Sequence, residues 1–270
     1  MRAAIDMSDP HHETTVLEQR GAVAVVTLNR PQAMNAINMQ MRRELHAVMD
    51  RLRRDPDVGA VVLTAIGDKA FSAGMDLREF AQVLAQTPLP ELRRFRWEPG
   101  EGIAGFDKPI IAAVNGLAIG GGVELALMCD ICFASDAASF AFAEVSRGLI
   151  PGNGGTQRLT RRIGRSRALE MILSGRTVSA AEALDIGLVD HVVEAGSLLD
   201  RAVALGQQIA SHAPVAVRNA KAAIVRGEDM SLADGLNLER DLATFLYTTE
   251  DAKEGPRAFI EKRAPRWQGR

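Results

Sequence analysis

A chain of 270 residues and 29.1 kDa can bury one large core, and 47% apolar with 24% charged residues is the composition of a soluble globule, which excludes disordered and fibrous classes. Its 32 basic against 34 acidic side chains leave a net charge of -2, which argues against capture of nucleic acid by overall charge. No apolar run reaches the roughly 18 residues of a bilayer span, and the opening MRAAIDMSDPHHETT has no apolar leader and carries Asp6, Asp9 and Glu13, so no membrane association and a cytoplasmic location are expected.

In chain order, the first clear element is GAVAVVTLN, Gly21 to Asn29, a β-branched apolar run that reads as a buried strand. NAINMQMRRELHAVMDRLRRD follows from Asn35, with Ile37, Met41, Leu45, Val48, Met49 and Leu52 at helical spacing and charges opposite. A second buried strand is expected in VGAVVLTAIG, Val58 to Gly67, and a short one ends at Phe71 in KAFSAGMDLREF. PIIAAVNG from Pro109 and DICFASD from Asp130 complete the strand signals, with GGGVELALMC between them. Strand, helix, strand at this spacing implies right-handed crossovers and an α/β core. The CDIC spacing of Cys129 and Cys132 fits a redox pair or half a zinc site, but no second ligand pair is in sight, and core packing is the expectation. Beyond about residue 160 helical patterns dominate. The organisation expected is a flexible tail over residues 1–15, an α/β core over 16–200 and a helical region over 201–270.

The stretch GGGVE, Gly120 to Glu124, fails the spacing of a dinucleotide fingerprint, and neither it nor PGNGGTQ from Pro151 has the Lys-Ser/Thr of a phosphate loop. Two readings remain. The glycines can clear a helix start for an approaching oxyanion, because the first amides of a helix are free donors at the positive end of its dipole. They can equally form a tight strand-to-helix turn, with Glu124 favoured by the dipole. In SFAFAEVSRGLIPGNGG every residue from Phe140 to Val145 is apolar except Glu144, so this carboxylate falls where a buried or half-buried strand is expected. The alternative is that Glu144 is the first exposed residue at the strand's end. If both acids share a pocket, burial and repulsion raise one pKa and leave an acid beside a base, a pair able to add or remove water. The Ser-Ala-Gly bend upstream offers the Met75 amide as the second half of a two-amide hole.

Together these pieces resemble the enoyl-CoA hydratase/isomerase, or crotonase, family. The matching stretches are LNRPQAMNAI from Leu28, KAFSAGMDL from Lys69, KPIIAAVNGLAIGGGVELALMCDI from Lys108, FAEVSRGLIPGNGGTQRLTRRIG from Phe142, and AFIEKR near the end, in the family's order. The resemblance implies an α/β spiral of ββα units with a carboxy-terminal helical region that mediates trimerisation and covers the active site, assembled as a homotrimer or homohexamer. It implies an acyl-CoA thioester substrate, with coenzyme A as part of the substrate and neither a separate cofactor nor a metal. The two amides that hold the thioester oxygen fall on Met75 and Gly121, and the two catalytic glutamates of the hydratases fall on Glu124 and Glu144. The loop that lines CoA falls on Gln32, Ala33 and Met34 and a carboxy-terminal lysine that reaches CoA on Lys262, while Ala73, Gly74, Asp76, Leu77 and Gly120 are expected to shape the substrate site beside the amides. On charge grounds Arg30 and Lys69 are expected phosphate partners, and each of these two and Lys262 reads equally as a solvated surface cation.

Occupancy of both glutamate positions makes reversible hydration of trans-2-enoyl-CoA, in fatty-acid or related acyl-CoA degradation, the activity that the resemblance implies. An enoyl-CoA isomerase or a dehydratase of carnitinyl-CoA type on the same fold is the alternative, since each can work with one of these acids. A different class of alternative is a non-catalytic or RNA-binding protein using the basic stretch Arg161 to Arg167, which the near-neutral charge disfavours. The chain departs from many hydratases in having Ala143 where they have proline before the second glutamate, and Met75 where they have a smaller residue. The segment from Arg78 to Gly105 matches nothing in the family pattern.

Overall fold

The computed structural model describes residues 13–88, 91 and 101–270. Most of the tail expected over 1–15 therefore lies outside the described residues. Among the described residues ten strands form two sheets: a six-stranded sheet in the order β1-β2-β3-β5-β7-β10 and a four-stranded sheet in the order β4-β6-β8-β9. The large sheet comprises β1 (Thr15–Arg20), β2 (Val23–Leu28), β3 (Ala60–Ala65), β5 (Ile110–Val114), β7 (Ile131–Ser135) and β10 (His191–Val193), parallel except where β1 meets β2. The small sheet comprises β4 (Ala70–Ser72), β6 (Leu117–Ile119), β8 (Ser139–Ala141) and β9 (Val178–Ser179).

Each long strand hands the chain to a short one and then to a helix. β3 and β4 precede α2 (Leu77–Gln86), β5 and β6 precede α4 (Gly121–Met128), and β7 and β8 precede α5 (Gly155–Ile163). Because β3, β5 and β7 are parallel neighbours in one sheet while β4, β6 and β8 are parallel neighbours in the other, each ββα turn stacks on the last. This is the crotonase-like spiral. Remaining core helices are α1 (Met39–Arg54), the single turn α3 (Glu101–Ala104), α6 (Arg165–Ser174) and α7 (Ala180–Asp185).

Helix α1 starts two residues later than its apolar spacing suggests, because the Asn38 side chain accepts from Met41 N at 2.9 Å and caps it there. Ile37 is thereby left outside the helix, where it bridges to Met75. Buried Lys108 closes the other end of α1 by donating to the carbonyls of Leu52 and Asp55 at 2.7 and 2.6 Å.

The strands β2, β3 and β5 are buried on both faces, which is why they read as continuous apolar runs. One face packs into the spiral's main core. The other is covered by α8 (Leu198–Ala210), whose Leu198, Ala202 and Val203 meet Val23, Val25, Val62 and Phe133. The boundary expected at residue 200 falls inside this helix. Three further helices follow: α9 (Pro214–Gly227), α10 (Leu232–Leu246) and α11 (Glu250–Ile260). Among the described residues no helix is long and apolar enough to cross a membrane. Cys129 and Cys132 are both buried in the main core, as packing residues should be, and burial pushes both thiols up, that of Cys132 to about 12.

Candidate active site

The spiral brings the ends of three ββα turns to one cleft of about 380 Å³. After β4 the chain bends through Ala73, Gly74 and Met75; after β6 it enters α4 through Gly120 and Gly121; after β8 it passes Glu144 and runs to α5 through Gly152 and Asn153. All of these residues line the cleft together with Glu124, Leu77 and Phe80.

The bend after β4 is locked by the loop before α1. Ile37 donates to the Gly74 carbonyl at 2.7 Å, and Asp76 donates to the Ile37 carbonyl at 3.0 Å. These bonds use the groups on either side of Met75 and leave its own N–H to face elsewhere. Gly74 sits at φ +83, and a Cβ there would lie 2.6 Å from the Ile119 carbonyl and 3.1 Å from Gly121 N, so only glycine lets the bend press against the start of α4. As the first residue of α4, Gly121 has no acceptor within the helix for its amide. A Cβ at Gly121 would lie 3.5 Å from Met75 N. Two backbone amides without helix or bridge partners thus stand on abutting segments of the cleft wall, the arrangement that receives an oxyanion.

Glu124, one turn into α4, is 1% exposed. Its Oε1 accepts from Asn153 N at 2.7 Å and Gly155 N at 2.8 Å, and its Oε2 accepts from the Asn153 side chain at 3.1 Å. Three N–H donors fix the carboxylate's position and match an acceptor-only group. The PGNGG stretch therefore has a task that neither the phosphate-loop comparison nor the family pattern assigned to it: it is the cradle of Glu124. Asn153 and Gly155 are functional candidates that the sequence reading missed. Their signal was a second glycine cluster at a helix start, 29 to 31 residues after an acid.

Glu144 differs from its expected placement. Strand β8 ends at Ala141, and Glu144 adopts αR backbone at the start of a 3-10 turn over Val145–Arg147. The strand stops because the chain curls on its own carbonyls. Ser146 Oγ donates to Ala143 O at 2.8 Å, Arg147 N donates to Glu144 O at 2.9 Å, and Gly148 closes the turn in the left-handed region. The Glu144 side chain nonetheless turns inward. Its Oε2 is buried with no hydrogen-bond partner in the protein, and a Cβ on Gly120 would lie 2.5 Å from its Oε1. Burial, and then the neighbouring charge of Glu124, raise the Glu144 pKa above the usual carboxylate value. The cleft therefore holds one carboxylate fixed by three donors and another biased toward keeping its proton.

The remaining expected residues divide. Ala73, Gly74, Leu77 and Gly120 line the cleft beside the pair of amides and the two acids. Gln32 and Ala33 form a 3-10 turn and Met34 its left-handed cap, with the Met34 carbonyl accepting from Ala73 N at 2.9 Å, so this loop backs the bend without joining the cleft lining. Arg30 is ion-paired with Asp76 at 3.1 Å, and Asp76 caps α2. These two hold loops together, and the charge of Arg30 is already matched. Lys69 and Lys262 are exposed and outside the cleft lining, Lys262 beyond the end of α11 with φ +53. In the basic stretch, Arg161 pairs with Asp229 and Arg162 with Asp190, which reduces the charge open to a polyanion.

A family model described as enoyl-CoA hydratase/isomerase matches residues 18–270 of the chain. A Mycobacterium tuberculosis protein named "Probable enoyl-CoA hydratase" is 44% identical over 259 residues, which cover 96% of this chain and 99% of that one. The short-chain-enoyl-CoA hydratase of Clostridium acetobutylicum is 42% identical over 257 residues, covering 92% of this chain and 95% of its own. The crystal structure of enoyl-CoA hydratase from Bacillus anthracis superposes with a TM-score of 0.88 at 37% identity, covering 95% of this chain and all of that one.

Proposed function

The chain belongs to the enoyl-CoA hydratase/isomerase family, and from that premise we propose that it adds water reversibly to a trans-2-enoyl-CoA thioester, giving the 3-hydroxyacyl-CoA. The observation that carries this reading is the pairing, on one cleft, of two differently held carboxylates with two partnerless amides. The thioester oxygen is placed against the N–H groups of Met75 and Gly121. Water attacks Cβ, and the double-bond electrons move through Cα toward that oxygen. Preorganised donors stabilise the developing enolate, each worth about 3 to 4 kcal/mol.

Glu124, held still by Asn153 and Gly155, orients the water and takes its proton. Glu144, raised toward its neutral form by burial, gives a proton to Cα. One proton is accepted and one delivered, so the reaction balances without any further reagent. Coenzyme A enters as part of the substrate, and the scheme needs neither a separate cofactor nor a metal. An isomerase would need a single acid moving a proton between two carbons, and the separate fixing of Glu124 by three donors favours hydration over that alternative. We also propose a homotrimer or homohexamer as the working form, supported by the exposed apolar side chains of the last three helices.

A panel of trans-2-enoyl-CoA esters of varied chain length tests the reaction, read by loss of the conjugated thioester absorbance and by the mass gain of one water. Wild type is expected to hydrate at least one member, while Glu124→Gln and Glu144→Gln each slow turnover by at least about 100-fold. Failure of wild type to hydrate any ester of the panel, or near-normal turnover in either variant, removes the assignment.

A further inference from the structure

Arg147 stands in the cleft wall although nothing in the hydration scheme requires a cation there. It ends the 3-10 turn that Glu144 begins, and at this i, i+3 spacing side chains eclipse one another, so guanidinium and carboxyl project to the same side. The same lining includes the apolar Leu77, Phe80, Leu149 and Ile150. Its recorded hydrogen bonding is from Nη1 to the Ala143 carbonyl at 3.3 Å, and none of the ion pairs among the described residues involves it. Arg30, Arg161 and Arg162, by contrast, each have an aspartate. Arg147 is exposed on the cleft lining, makes no ion pair among the described residues and has the Glu144 carboxyl as a neighbouring charge, so its planar fork remains open to a carboxylate supplied from outside.

We propose that Arg147 recognises a second carboxylate at the far end of the acyl group, so that the preferred substrates are mono-CoA thioesters of unsaturated dicarboxylic acids. Among the described residues that line the cleft, Arg147 is the one cation. The other ionisable residues among the described lining are Glu124 and Glu144, neither of which can offer a positive charge to an acyl carboxylate. The inference rests on the hydratase reading and narrows its substrate class.

The test compares two five-carbon esters of equal length, trans-2-pentenoyl-CoA and its counterpart with a terminal carboxylate, on wild type, Arg147→Leu and Arg147→Lys. Wild type is expected to favour the carboxylate ester in kcat/KM. In Arg147→Leu the ratio of kcat/KM for the carboxylate ester to that for the methyl-ended ester is expected to fall at least about tenfold, mainly through KM, as loss of a charge-assisted pair implies. Arg147→Lys should recover part of the ratio. If Arg147 serves only to offset the charge of Glu144, both esters lose rate together and the ratio stays fixed; that result overturns the proposal while leaving hydration intact. Turnover of neither five-carbon ester by a wild type that hydrates other members of the chain-length panel overturns the specificity proposal alone, whereas failure on the whole panel removes the hydratase reading and the specificity proposal with it.

Discussion

Glu144 is the residue at which stability and chemistry oppose each other. Burial with an unpartnered Oε2 raises its pKa above the value it has in the unfolded chain. The folded state thus holds this proton more tightly than the unfolded state does. The contribution to stability is fully present below the unfolded carboxyl pKa and is lost as pH rises from there through the raised folded value. Glu144→Gln removes the ionisation and keeps the shape. At neutral pH its melting temperature is expected to equal or exceed that of wild type although its hydration rate falls at least about 100-fold. Thermal unfolding across acidic to neutral pH checks this, because the gap between variant and wild type should close as the solution is acidified. The same direction predicts the rate profile: hydration declines as pH rises through the raised Glu144 pKa and its transferable proton is lost. A variant less stable than wild type at neutral pH and no different in acid would contradict this account. Ala143, in place of the proline of many hydratases, does not leave Glu144 loose, since its carbonyl accepts from both Ser146 Oγ and Arg147 Nη1.

At the scale of elements, the three glycines before α4 have three separate duties. Gly120, at φ +51, makes room for the Glu144 carboxyl, and Gly121 offers an amide beside the Met75 bend. Gly122 lets the helix lie directly on β4: a Cβ there would overlap the backbone carbonyl of fully buried Ser72 and come within 3.0 Å of its Cβ. Backbone cannot swing aside as a side chain can, so Gly122→Ala must lift α4 off the small sheet, at about 1 to 3 kcal/mol. Because the Gly121 amide rides on that helix and the Met75 amide does not, the lift also separates the two donors. The variant is expected to stay folded by circular dichroism, melt lower and lose at least about tenfold in kcat for an enoyl-CoA substrate; an unchanged melt and rate would show that the close contact is not needed. The same elements explain what could be read in advance. Strands β2, β3, β5 and β7 were legible because burial demands unbroken apolar runs. β1 was not read, because the buried and exposed residues of TVLEQR alternate at a sheet edge. β6 and β8 have three residues each, too few for a period, and Glu144 was accordingly carried into a strand that had already ended. Positions for the acids and amides follow from the family pattern, whereas the Asn153 and Gly155 cradle depends on a 29-residue return of the chain, whose one local trace is the glycine cluster before α5.

The whole molecule is less closed at its carboxy-terminal end than the core is. Leu232, Phe259 and Ile260 are 81%, 86% and 78% exposed, and Ile224, Phe245 and Tyr247 also face outward on the last three helices and their connections. Scattered exposed apolar residues are ordinary, and it is their number on one helical region that supports the proposed assembly. The tail after α11 does not cover them. Arg263 folds back to Glu254, whose carboxyl the guanidinium holds down at about 2, while Asp251 accepts from the amides of Gln268 and Gly269 and the Trp267 indole donates to the Ser211 carbonyl. The region is therefore tied into its own shape while its apolar side chains stay free, which suits association of prefolded copies better than a segment waiting to dock on its own core. Closed point-group symmetry satisfies such a face without open-ended growth. Light scattering on the purified protein is expected to give the mass of three or six chains of 29.1 kDa. Leu232→Asp combined with Phe259→Asp places charge where that apolar contact would be desolvated, and should shift the population toward single chains at micromolar concentration. A single-chain mass for wild type would overturn the assembly, and an unchanged multimer in the double variant would move the interface away from these helices.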